Sequence, residues 1–241
     1  MSWKTRFAII AHRGASAYEP ENTIRAFLRA IEMGADAIEF DVRLSKDGVA
    51  VVVHDEDLSR IAGVNKRVRD LTSEELRRIS VLGSDQHIPT LTEALDTIDS
   101  KCGLVIEIKD LGVEEQVVRA LRERGLADLA IIISFHREAL SRVKALDKGI
   151  ETGIIVSRRS IHLADYVKRG YADTIFARYD IVTPRLVHEV KAAGGRVYVW
   201  TVNDPTTAIK MIGYGVNGIA TDKPDLRHAI EKQKTLLQYG K

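Results

Sequence analysis

One cysteine in 241 residues, Cys102, leaves this chain without a disulfide framework and without a cysteine-based zinc site. A lone thiol of this kind is expected as a small core residue. Long apolar runs are missing as well. The N-terminal Met1-Ser2-Trp3-Lys4-Thr5-Arg6 leads into a run too brief for a signal h-region, and no segment is long enough to cross a bilayer. No stable membrane insertion is expected, and the cytoplasm is the expected location. Excess charge of one sign is also lacking. Against 36 Lys and Arg stand 34 Asp and Glu, a formal net charge of +2, too mild to argue for nucleic acid and merely compatible with an anionic substrate. Repeats, low-complexity stretches and any sign of a separate domain are absent. What remains is an ordinary globular composition at a length that suits two modest domains or one large α/β barrel.

Strand-like and helix-like patterns alternate almost throughout. Strands are expected at Phe7–Ala11, Ala37–Val42, Leu104–Ile108, Ala130–Ser134, Thr152–Val156, Thr174–Ala177, Val197–Thr201 and Asn217–Thr221. Amphipathic helical patterns lie between them, among them Thr23–Met33, Leu91–Ile98, Glu114–Arg124, Arg137–Leu146 and Pro184–Ala193. Asn22 and Thr90 fit N-caps, Pro184 and Pro205 fit first helical positions, and Gly34, Gly125, Gly194 and Gly215 sit where helices should end. Eight strands, each followed by a helix, predict one closed parallel (β/α)8 TIM barrel over residues 1–241, with a doubly wound open sheet as the competing arrangement.

A ninth strand-like run, Val49–Val53, follows Val42 after only six residues that include Asp47-Gly48. A parallel crossover needs about a dozen or more residues, so this run is expected to fold back antiparallel. It opens an insertion of about residues 43–89 between the second strand and its helix. The insertion should carry a small helix near Ser73–Ile79, capped by Thr72 or Ser73, with Glu74 and Glu75 in its first turn. From about Glu231 the chain is polar and is expected to fray.

Glu39 and Asp41 are two residues apart in the second strand, so they share a face, opposite Ile38, Phe40 and Val42. Two carboxylates on one buried face repel and are costly to desolvate, which calls for a cation between them or for chemistry. The mouth of such a barrel lies at the C-terminal ends of its strands. There the chain delivers His12 and Arg13, the pair Glu39 and Asp41, His54-Asp55 from the insertion, Glu107 and Lys109 on one face of the third strand, and Trp200. Three acidic oxygen donors without cysteine favour a hard divalent ion, Mg²⁺ or Ca²⁺, with Mn²⁺ also admissible. Arg13 and Lys109 suit phosphate oxygens, and two histidines near neutral pKa can serve as general base and general acid. Together these describe phosphoester cleavage.

His12-Arg13-Gly14-Ala15-Ser16 with Pro20-Glu21-Asn22-Thr23, Ile38-Glu39-Phe40-Asp41-Val42, Lys46-Asp47-Gly48 and His54-Asp55 open an ordered series of motifs. It continues through Ile88-Pro89-Thr90-Leu91, Ile106-Glu107-Ile108-Lys109 and Trp200-Thr201-Val202-Asn203 to Gly218-Ile219-Ala220-Thr221-Asp222. This series, spanning nearly the whole chain, resembles the glycerophosphodiester phosphodiesterase family. The resemblance implies a barrel with an insertion after its second strand, and a divalent metal held by Glu39, Asp41 and Glu107. It further implies His12 and His54 as the acid–base pair, and Arg13 and Lys109 as phosphate or substrate contacts. Trp200, at the end of its strand, is expected on the substrate wall, with simple filling of the barrel mouth as the competing role. The implied reaction is attack by a neighbouring glycerol hydroxyl, giving a cyclic phosphate that water opens to sn-glycerol 3-phosphate and a free alcohol.

Two other functions compete. A lysophospholipase D-type enzyme would keep fold and metal but need an apolar groove at the mouth. A non-catalytic phosphate-metabolite sensor would usually have lost a histidine or a ligand, and none is lost. His87, His136, His162, His188 and His228 have no partner pattern and are expected as ordinary surface or loop residues. The clusters Lys66-Arg67-Val68-Arg69 and Arg158-Arg159 are expected as solvated faces, since a membrane-surface or nucleic-acid role needs a larger, more continuous patch. Nothing in the sequence selects an oligomeric state.

Overall fold

The computed structural model describes residues 3–159 and 162–239. Eight parallel strands close into a barrel: β1 Ala8–His12, β2 Ala37–Leu44, β4 Gly103–Ile108, β5 Ala130–Ser134, β6 Glu151–Val156, β7 Thr174–Arg178, β8 Arg196–Trp200 and β9 Gly218–Thr221. Pairing runs around the ring and is closed by β1 against β2. The open-sheet alternative is therefore excluded. The remaining strand, β3 Ala50–Val52, pairs antiparallel with the end of β2, Val42 opposite Val52 and Leu44 opposite Ala50.

Helices α1 Ile24–Glu32, α4 Leu91–Ile98, α5 Glu114–Glu123, α6 Arg137–Leu146, α7 Leu163–Lys168, α8 Pro184–Ala192, α9 Pro205–Gly213 and α10 Leu226–Tyr239 follow the barrel strands in turn. Their ends obey local chemistry. Thr90 and Glu93 form a reciprocal capping box on α4, and Pro184 and Pro205 occupy first-turn positions. Helix α10 spans Leu226 to Tyr239, across the polar stretch that begins at Glu231. Leu226 and Ile230 anchor its start on the barrel core.

Strand alternation sorts side chains into two cores. Ile38, Phe40, Val42, Leu104, Ile106 and Ile108 point outward and pack beneath the helices, while Ala8, Ile10, Ala37, Val105, Ile131 and Tyr198 fill the barrel interior. Trp3 closes the floor of that interior, donating from Nε1 to the Leu129 carbonyl at 2.9 Å. Cys102 is half-buried against the outer core rather than fully inside it. The insertion between β2 and α4 has its own small core, built around Val53, Leu58, Ile61, Leu76 and Ile88. It carries α2 Ser59–Ala62 and α3 Ser73–Arg77, the latter with a Thr72–Glu75 capping box. No helix among the described residues is long and apolar enough to cross a membrane.

Candidate active site

Register places the chemistry. β1 pairs with β2 so that His12 stands opposite Glu39, and β2 pairs with β4 so that Asp41 stands opposite Glu107. Because inward and outward positions alternate, all four point into the upper barrel. Glu39, Asp41 and Glu107 are buried, and each offers an oxygen within 4.8 Å of the others'. Burial and mutual repulsion raise the pKa of Glu39 and of Glu107. Asp41 goes the other way: burial opposes ionisation, but Lys109 and Arg13 outweigh it and hold the carboxylate charged.

Two cations partly offset these three acids. Lys109 Nζ lies 2.7 Å from Glu107 Oε1 and 3.3 Å from Asp41 Oδ1. Arg13 donates from its backbone N to Glu39 Oε2 at 2.9 Å and from one guanidinium nitrogen to Glu21 at 2.9 Å. Its Nε is buried, 3.4 Å from Asp41 Oδ2, and has no hydrogen-bond partner. An orphaned buried donor beside an under-neutralised acid cluster marks a place where an anion and a cation are both wanted. The donor set, all carboxylate oxygen, fits a hard divalent ion.

The histidines flank this cluster. His12 ends β1, and its Nδ1 is 2.7 Å from Asp222 Oδ1. Burial pulls the His12 pKa down, yet the Asp222 contact and the charge of Glu39 raise it overall. Asp222 is itself fixed by Asn203 at 2.6 Å and Ser16 at 3.0 Å. His54 comes from the insertion, with Nδ1 2.6 Å from Asp55 Oδ1. Its pKa is lowered, first by burial and then by the nearby Lys109 and Arg13, against the pull of Asp41. Arg43 donates to the His54 carbonyl at 2.8 Å and to Asp110 at 2.6 Å, pinning the His54 backbone to the loop after β4.

His12, Arg13, Glu39, His54, Glu107 and Lys109 form one side of a single cavity. Its other side is apolar: Ile133, Phe135, Ile155, Phe176, Trp200 and Ala220. Trp200 donates from Nε1 to the Phe176 carbonyl at 3.1 Å and meets Phe135 edge-on at 6.1 Å. All eight expected site residues thus converge, with Asp41 in the acid cluster just beneath the cavity wall.

Asn22 corrects the sequence expectation. Thr23, not Asn22, caps α1, accepting from the Ala26 N–H. Asn22 adopts a left-handed backbone (φ 58°), and its amide donates to Asp41 Oδ2 at 2.8 Å. Two adjacent good cap residues left the choice open locally, and the buried carboxylate decides it. Asp222, Asn203 and Arg60 carry contacts that sequence reasoning missed. Asp222 and Asn203 lay inside the quoted motifs, but nothing local ties them to His12.

A family model for the glycerophosphoryl diester phosphodiesterase family matches residues 12–226. The chain is 37% identical over 229 residues to a glycerophosphodiester phosphodiesterase from Caldanaerobacter subterraneus, covering 90% of this chain and 94% of that one. Among solved structures, it is similar to an Oleispira antarctica phosphodiesterase in complex with the product sn-glycerol-3-phosphate. The TM-score is 0.88 at 30% identity, covering 96% of this chain and 100% of that chain. A Thermotoga maritima glycerophosphodiester phosphodiesterase superposes with a TM-score of 0.82 at 32% identity, covering 93% and 98% respectively.

Proposed function

The chain belongs to the glycerophosphoryl diester phosphodiesterase family and is a phosphoric diester hydrolase; on that premise we propose that it cleaves glycerophosphodiesters to sn-glycerol 3-phosphate and an alcohol, with His12 and His54 as its acid–base pair. The observation that carries this reading is the convergence of both histidines, Arg13 and Lys109 on the cavity beside the Glu39–Asp41–Glu107 cluster.

Glu39, Asp41 and Glu107 would hold a divalent ion, which supplies charge neutralisation for the phosphodiester and its transition state. Arg13 and Lys109, both on the cavity wall, bind the non-bridging phosphate oxygens and orient phosphorus. The surrounding charges divide the histidine roles. His54, beside Lys109 and Arg13, favours the neutral form and takes the proton of the attacking glycerol hydroxyl. His12, bound to Asp222, favours the protonated form and gives its proton to the departing alcohol oxygen as the P–O bond breaks. Water then opens the cyclic phosphate with the two roles reversed.

The apolar half of the cavity favours a second substrate for the same chemistry, the headgroup diester of a lysophospholipid. That reading required an apolar surface at the mouth, and Ile133, Phe135, Ile155 and Trp200 supply one. The deciding assay incubates chelator-treated protein with a panel of glycerophosphodiesters and lysophosphatidylcholine, restoring Mg²⁺, Ca²⁺ or Mn²⁺ one at a time. Metal-dependent release of alcohol and sn-glycerol 3-phosphate is expected. Release from no diester with any metal would end the assignment and favour a binding role.

A further inference from the structure

Large apolar side chains left exposed are few, and three of them follow neighbouring strands on one side of the barrel. Among the described residues seven are exposed; Leu82 sits in the insertion, and four others, Tyr18, Leu111, Phe135 and Tyr179, sit in the direct connections from a barrel strand to the next helix. Those loops all rim the mouth of the cavity. Leu111, Phe135 and Tyr179 are 41%, 47% and 40% exposed and follow β4, β5 and β7, so they form an arc on one side of the opening. Phe135 joins this arc to the apolar wall inside the cavity.

Between Phe135 and Tyr179 the loop after β6 presents Arg158 and Arg159, both exposed; neither forms a close ion pair among the described residues, and Arg159 stands near enough to Asp180 to help lower its pKa. The acids on this face are already engaged. Asp180 is held by Arg178 at 2.7 Å, Asp110 by Arg43 at 2.6 Å, Asp225 accepts from Tyr18 at 2.8 Å, and Asp204 caps α9. The rim therefore combines aromatic and aliphatic tips with two guanidinium groups, Arg158 facing no described acid and Arg159 sharing Asp180 with Arg178. Read in sequence, Arg158-Arg159 was too small a patch to mean anything. The fold enlarges it by bringing three separated loops beside it.

We propose that this rim docks on an anionic lipid surface, with Leu111, Phe135 and Tyr179 at headgroup depth and Arg158 and Arg159 on lipid phosphates, so that a lysophospholipid enters the cavity directly from the membrane. Apolar and aromatic tips beside basic residues are the chemistry that reversible interfacial binding requires. The proposal rests on the phosphodiesterase reading for what enters the cavity, though not for the docking itself.

The test is sedimentation of the full chain with phosphatidylcholine vesicles, with and without about 30 mol% phosphatidylglycerol. Turnover of soluble glycerophosphocholine is measured in parallel. The wild type should sediment with anionic vesicles at low salt and be released by high salt. Arg158→Glu with Arg159→Glu should weaken binding about 30-fold, roughly fivefold for each lost arginine. Leu111→Ser with Tyr179→Ser should weaken it about tenfold. None of these four lines the catalytic cavity, so turnover of glycerophosphocholine should be unchanged in both variants. Failure of the wild type to sediment would overturn the proposal, as would binding unaffected by either double substitution, or self-association through this face in sedimentation velocity without lipid. Vesicle binding by a protein that cleaves no diester would leave the docking standing while removing the phosphodiesterase reading.

Discussion

His12 and Asp222 are separated by 210 residues and lie 2.7 Å apart, joined because β1 and β9 are neighbours in the closed barrel. The carboxylate favours the charged imidazolium and raises the His12 pKa although burial opposes it. Asp222→Asn keeps the shape and removes the charge, so His12 gives up its proton at lower pH. The alkaline limb of the pH–kcat profile should move to lower pH, and turnover should fall, bounded by the roughly 10²–10⁴-fold that a general acid supplies. Asp222→Glu should recover part of the limb. The same pair stabilises the fold fully below the ordinary histidine pKa of about 6.5, an effect lost as pH rises through the raised folded value. An alkaline limb unmoved in Asp222→Asn would take His12 out of the leaving-group step.

Arg60 reaches from the insertion to both halves of the site. Its Nε is 2.6 Å from Asp55, the partner of His54, and its two terminal nitrogens are 2.7 Å from Glu21, the partner of Arg13. Arg60 is exposed, so its ion pairs should matter little to stability, less than about 1 kcal/mol on thermal unfolding of Arg60→Ala. Its effect on orientation should be larger in proportion: kcat is expected to fall several-fold, with Arg60→Lys recovering less than half because Lys lacks the planar fork. Equal kcat in wild type and Arg60→Ala, with Tm unchanged, would show that neither His54 nor Arg13 depends on it.

Cys102 offers a chemical check on the outer core. Burial, with Asp36 adding to it, pushes its thiol up to about 12. At pH 8 the thiolate is then scarce, on the order of 10⁻⁴ of the population. Alkylation by iodoacetamide should be slow in the native protein and fast after unfolding, and Cys102→Ser should leave turnover intact. Rapid native-state labelling at pH 8 would show that the thiol is far more open to water than its packing implies.

The eight barrel strands were legible because each is a short, nearly continuous apolar run bounded by caps and glycines, and three elements have the expected bounds: Ala130–Ser134, Leu91–Ile98 and Arg137–Leu146. The shared face of Glu39 and Asp41 followed from period two alone. That Asp41 stands opposite Glu107 did not, since register belongs to the pairing of strands more than sixty residues apart. Asp222 was illegible for the same reason, and Arg60 because its partner Glu21 lies 39 residues away, outside the insertion. Asn22 was misjudged because its helix-start chemistry is real, but the neighbouring Thr23 does the capping and leaves Asn22 free to turn toward Asp41.

The acid cluster predicts an unusual pH response. In the metal-free protein Glu39 and Glu107 have pKa values raised above the ordinary glutamate value of about 4.3, first by burial and then by the charge of Asp41. An acid whose folded pKa is raised keeps its proton longer in the folded state, so folding stability falls as pH climbs from the unfolded value toward the folded one. Asp41, held low by Lys109 and Arg13 despite burial, stays charged across that window and adds no slope there. The chelator-treated protein should therefore gain thermal stability as pH falls from about 7 to 5, at about 1.4 kcal/mol per unit of raised pKa. Glu107→Gln should flatten the gain, melting above the wild type at pH 7 without metal and below it with saturating Mg²⁺ or Ca²⁺, since the variant loses a ligand. Melting curves measured with chelator and with each metal at both pH values decide the matter. A metal-free wild type that loses stability between pH 7 and 5 would mean that the three carboxylates are not crowded enough to need a cation.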